Sequence, residues 1–138
     1  MRIKGITLIN AKQYKPELVP QLCNEISAIN FKSLYEDVSD RVTSIFIISL
    51  FLHKCNEHKI IIDLAIKHVP LNDLLFTQWG EQNWNHYKIV YTYSLLKTNE
   101  IEKATELFKS ISSTNYDLNF SPVTDTIYKN LQKELVTI

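Results

Sequence analysis

Leu52-His53-Lys54-Cys55-Asn56-Glu57 and Leu95-Leu96-Lys97-Thr98-Asn99-Glu100 are one short pattern met twice, 43 residues apart. Leu, Lys, Asn and Glu fall in register. The match extends outward when residues 44–70 are laid on 87–113, with Ile47 on Val90, Ser49 on Thr92 and Leu64 on Leu107. Each stretch reads as an apolar helix, a short turn and a second apolar helix. Asn is the physical key to the turn, because it tolerates positive φ better than other residues with a side chain and can end a helix in the left-handed cap. A duplicated helical hairpin should keep its residues at the turn and on its buried faces, which is where the identities lie.

The rest of the chain reads outward from these hairpins. Residues 3–9 mix β-branched residues with Gly5 and suit a short strand or an extended arm. Pro16 suits a first helical position, and Leu18, Leu22, Ile26 and Ile29 then recur on one helical face. Phe31, Leu34, Tyr35 and Val38 either extend that helix or form a second short one. Asp40 is the expected N-cap of the next helix. From Arg41 to Lys54 that helix is apolar on almost every side, so it is expected to be the central, fully covered element. Its partner helix, residues 57–68, buries Ile60, Ile61, Leu64 and Ala65. A short helix capped by Asn72 and ended by Gly80 separates the two hairpins. In the second hairpin Ile101, Ala104, Leu107, Phe108 and Ile111 form the inward stripe, and Ser121-Pro122 starts a last helix with Val123, Ile127, Leu131 and Leu135 at spacings of four. That helix, expected over 121–138, suits a closing element with one polar face.

Composition agrees with an all-α fold. Two Gly and four Pro in 138 residues leave little turn chemistry for a many-stranded sheet. One domain is expected, with an N-terminal segment and helix over 1–40, hairpin one over 41–70, hairpin two over 81–113 and the capping helix, about six or seven helices in all. Fifteen basic and fifteen acidic residues cancel without forming blocks, which disfavours nucleic-acid binding. The longest apolar run, residues 45–52, is far below the roughly 20 residues of a membrane-spanning helix, so no membrane partner is expected. Cys23 and Cys55 make no disulfide framework, and residues 1–9 carry no apolar stretch of signal-peptide length, so a reducing cytoplasm is the expected location.

The second hairpin resembles a tetratricopeptide repeat. Asn99 stands at the turn position that such repeats fill with Gly, Ala104 at the small position of the second helix, Phe108 at its aromatic position and Thr92 at the small position of the first helix. Lys88 stands where a tryptophan is usual, Tyr116 where a proline usually ends the repeat, and Ile61 at the small position of copy one. The 43-residue offset exceeds the family's 34 and lies within the roughly 40–47 of HEAT and armadillo repeats. The resemblance implies a right-handed stack of helical hairpins with a concave face for a peptide or helix.

Candidate chemistry is sparse. His53, Cys55 and His58 lie close in sequence, with Cys23 or His68 as a further ligand, but they straddle a helix end without the paired spacing of structural zinc sites, so no metal is assigned. A Cys55 nucleophile with Glu57 or Asp63 nearby lacks an oxyanion site, and Gly5 and Gly80 cannot make a phosphate loop. No catalytic residue and no cofactor are therefore expected. The aromatic concentration is the better lead, and Trp79, Trp84, Tyr87, Tyr91 and Tyr93 are the expected partner-binding residues. Tyr93 lies about 160° round a helix from Tyr91, so one core stripe cannot take every ring. Trp and Tyr combine large area with a polar tip and carry much of the energy at interfaces. The competing reading is an aromatic core.

The function expected from these residues is non-enzymatic binding of a peptide or amphipathic helix of a partner protein, as a chaperone or adaptor. Two alternatives stay open: a small immunity or antitoxin-type inhibitor that masks a toxin, and a Cys/His metal protein or small enzyme. Association of two copies through the aromatic patch is a further option, readable from its concentration dependence.

Overall fold

The computed structural model describes residues 16–69, 81–111 and 122–136. Among the described residues there are seven α-helices and no strand: α1 (Val19–Ser27), α2 (Phe31–Leu34), α3 (Val38–Lys54), α4 (His58–His68), α5 (Glu81–Lys97), α6 (Ile101–Lys109) and α7 (Pro122–Val136), preceded by a 3-10 turn over Pro16–Leu18. None of them is long and apolar enough to cross a membrane. The arm at 3–9, the short helix at 71–79, the Ser121 cap and Trp79 lie outside the described residues. The chain divides into two compact units, Met1–Val69 and Pro70–Ile138. In the first, α3 packs on α4 and α2, and α1 packs on α4. In the second, α5 packs on both α6 and α7.

The two hairpins are built alike. Their first helices, α3 and α5, are both 17 residues long, about 25 Å at 1.5 Å per residue. Both end on an asparagine at positive φ, 59° at Asn56 and 66° at Asn99. The Glu57 amide donates to the Leu52 carbonyl and the Glu100 amide to the Leu95 carbonyl, each at 2.9 Å, while the amides of Asn56 and Asn99 donate to His53 and Leu96 at 3.1 and 3.2 Å. These paired bonds are the Schellman motif, which satisfies carbonyls that the helix end leaves open. Glu57 and Glu100 then start the second helices from nearly the same backbone conformation, φ −94°, ψ 59° and φ −92°, ψ 61°. Thr98 adds hydroxyl bonds to the Ser94 and Leu95 carbonyls, at 3.0 and 3.1 Å. Replacing Asn56 or Asn99 with Gly is expected to leave the melting temperature level or raised, and Val to cost about 1 kcal/mol or more through the Cβ clash at positive φ. Equal tolerance of Gly and Val would contradict the motif.

Two sequence expectations shift, and one open alternative is decided. The cap of α3 is Asp37, not Asp40: the extended backbone of Asp37 lets its carboxylate accept from the Asp40 amide at 3.2 Å, so the helix starts earlier. Pro16 opens only the 3-10 turn, and α1 carries Pro20 in its first turn, where a missing amide hydrogen costs nothing. Phe31 to Leu34 is a separate short helix capped by the Asn30 side chain, which accepts from the Ser33 amide.

The enclosed helix is also not the expected one. In α3, Ile45, Ile48 and Leu52 are fully buried, but Ile47 is 38% exposed. In α5 every residue from Trp84 to Val90 is buried, nearly two turns and therefore all directions, although Asn85, His86 and Lys88 are polar. The fully buried His86 ring pairs through Nδ1 with the hydroxyl of fully buried Thr124 on α7. Burial also separates two aligned leucines: Leu64 is buried, whereas Leu107 on the shorter α6 is only half-buried.

Candidate partner-binding surface

The candidate site is the aromatic set on α5. Trp84 and Tyr87, one turn apart, are 3% and 1% exposed, with ring centroids 6.1 Å apart and planes 21° from parallel. The Lys88 ammonium sits 5.0 Å from the centre of the Trp84 ring, and also donates to the Ser110 hydroxyl at 3.3 Å. That hydroxyl in turn donates to the Leu107 carbonyl at 2.6 Å. A lysine stem lying along apolar surface with its head on a ring is a favourable way to bury this side chain. Neither Trp84 nor Tyr87 therefore offers ring area to a partner in this conformation.

Tyr91 and Tyr93 are different. Both are half-buried, and the Lys97 ammonium lies 5.2 Å from the Tyr93 ring centre. Burial pushes the Tyr91 phenol up, the Glu100 carboxylate pushes it further and Lys103 opposes. Lys103 and Glu100 are themselves paired at 3.2 Å across one turn. Among the described residues of the set, the rings available to a partner thus narrow to Tyr91, beside the Glu100–Lys103 pair, and Tyr93, beneath Lys97.

The cysteine and histidine residues do not gather into a ligand set. The rings of His53 and His58 meet edge to face at 5.6 Å. Cys55 is half-buried and Cys23 buried, both as free thiols. Burial, then Glu57 and Cys55, push the Cys23 thiol up to about 11, so it is protonated at neutral pH and a poor nucleophile. His68 closes the far end of the helix that His58 opens, about 15 Å away along the axis. It packs instead on Phe31, with centroids 5.0 Å apart. Among the described residues no group of three His, Cys, Asp or Glu side chains could hold a metal ion.

Burial lowers the pKa of His53, and burial together with Lys67, Arg41 and Lys32 lowers that of His68. In each case the unfolded chain binds the proton more readily. The stability these groups contribute is therefore fully present above about pH 6.5 and is lost as pH falls through their lower folded values. The melting temperature should drop between roughly pH 7 and pH 5, and His53→Gln and His68→Gln should each flatten that drop. An unchanged pH profile in both variants would contradict the burial of these rings.

No protein-family model, curated protein or solved structure matches this chain.

Sequence reasoning named the ring-bearing helix but missed its buried polar residues. Nothing in the spacing of His86 and Lys88 announces Thr124 or Ser110 as partners 38 and 22 residues on.

Proposed function

We propose that this chain is a non-enzymatic protein-interaction module, a chaperone or adaptor that holds a peptide or amphipathic helix of a partner protein. Its two hairpins, in this reading, are copies of one tetratricopeptide-like unit of the right-handed helical-repeat class. The observation that carries the reading is the shared construction of the hairpins: the same first-helix length, the same Schellman turn on Asn56 and Asn99, and the same entry into the second helix. Paired helices of this kind present side-chain faces rather than loops, and such faces suit an amphipathic helix or extended segment. Half-buried Tyr91 and Tyr93, with Ile47, Ile66 and Ile101 at 38%, 66% and 49% exposure, supply apolar contact area. The free thiols of Cys23 and Cys55 suit a reducing cytoplasm.

The test is purification of the tagged chain from its host. One stoichiometric partner is expected, held almost equally at about 0.1 and 0.5 M salt, because an apolar contact is little screened. Steep loss of the partner with salt would favour the toxin-masking inhibitor. Absence of any stoichiometric partner would contradict the module reading.

A further inference from the structure

Among the described residues, one corner of the first unit gathers basic side chains without an ion-paired acid. Arg41 lies in the first turns of α3, and His68 ends α4, the helix packed against it. The His68 ring rests on Phe31, which is fully buried, and Lys32 follows Phe31 in α2 as Lys67 precedes His68 in α4. The two lysines are exposed and the arginine and histidine are partly buried, so the ammonium groups are open to solvent while the guanidinium and imidazole form the floor of the corner. None of Lys32, Arg41 and Lys67 makes an ion pair among the described residues.

The floor is short of acceptors. Arg41 Nε and His68 Nδ1 are both buried and have no hydrogen-bond partner among the described residues, and the only bond of the guanidinium is from Nη1 to the Tyr35 carbonyl at 3.5 Å. A buried polar nitrogen without a partner is costly, and two in one corner call for an occupant. The nearest acids in sequence among the described residues are Glu36, Asp37, Asp40 and Asp63, the last one turn before Lys67 on α4 and in no ion pair with it. Asp37 is committed to capping α3, and neither Glu36 nor Asp40 pairs with the cluster. Basic side chains do suit the C-terminal end of a helix, which accounts for Lys67 at the end of α4. It does not account for Arg41, which sits near the N-terminal end of α3, where positive charge is disfavoured.

We propose that Arg41, His68, Lys32 and Lys67 form a binding site for a phosphate dianion. The guanidinium supplies planar donors that match phosphate oxygens, the His68 ring in its Nδ1–H tautomer supplies a further donor, and the two lysines supply charge without fixed geometry. The site does not depend on the protein-interaction reading, since its donors lie in the first unit and the ring set lies in the second.

The test is titration of the purified chain at pH 7.5 with inorganic phosphate, and in parallel with a phosphomonoester, phosphoserine, against sodium chloride at matched ionic strength. The readouts are melting temperature and the NMR signal of the Arg41 Nε–H. Saturable phosphate binding should raise the melting temperature by about 4 °C or more at ten times the dissociation constant, and should move the Arg41 signal. The exposed-site double variant Lys32→Gln/Lys67→Gln, which leaves the floor and the core untouched, should weaken binding about tenfold through loss of charge. Tighter phosphoserine binding would assign an esterified phosphate as the occupant, and equal binding the free ion. A response to phosphate no larger than that to chloride, or full retention of affinity in the double variant, would overturn the site.

Discussion

Leu52→Ala and Leu95→Ala are each expected to cost roughly 2–5 kcal/mol, as two versions of one experiment. The two leucines are 0% and 3% exposed, and the carbonyl of each accepts the bond of its Schellman turn that spans more residues. Truncation removes three carbon positions' worth of packing beside the tight turn that joins two helices, so little can relax into the gap. Domains of this size have only about 5–15 kcal/mol in hand, so either change should lower the denaturation midpoint of its own unit markedly. Leu64→Ala and Leu107→Ala provide an internal contrast. Leu64 is buried and belongs in the same range, whereas half-buried Leu107 has less to lose. A costly Leu52 with a tolerated Leu95 would mean that the hairpins share a turn but not a core.

The second large effect is at Trp84 and Tyr87. Each truncation to Ala should cost roughly 3–5 kcal/mol, the range for buried aromatics, because both rings are at most 3% exposed and lie on one another. Trp84→Ala also leaves the partly desolvated Lys88 ammonium without the ring it covers at 5.0 Å. Thermal or urea melts of the two variants check this directly. Loss of less than about 1 kcal/mol in both would show that the rings are not core.

What the sequence announces is what is settled locally. A left-handed asparagine followed by glutamate is decided by the φ preference of one residue and by bonds spanning five, so both turns could be read at once. The Pro122 start of α7 is equally local. The cap of α3 was not readable in the same way, because Glu36, Asp37 and Asp40 all offer carboxylates and only the extended backbone at Asp37 selects among them. The enclosure of α5 was hidden for a different reason: Lys88, His86 and Asn85 follow the polar expectation until Ser110 and Thr124 arrive from distant parts of the chain. The same distance concealed the corner formed by Arg41 and His68, which share no motif and meet only because α3 and α4 run side by side. Within the ring set, periodicity could say that Tyr91 and Tyr93 diverge but not which rings the packing would cover.

The account is tested most directly by a paired measurement on Tyr91→Ala and Tyr93→Ala, with melting temperature and partner co-purification read on the same preparations. Both rings are half-buried and neither is in the enclosed stretch of α5. The interaction-module reading predicts that at least one variant loses the partner by tenfold or more, about 1.4 kcal/mol, while its melting temperature stays close to that of the unaltered chain. Full retention of the partner by both variants, or loss of binding only in step with unfolding, would contradict it.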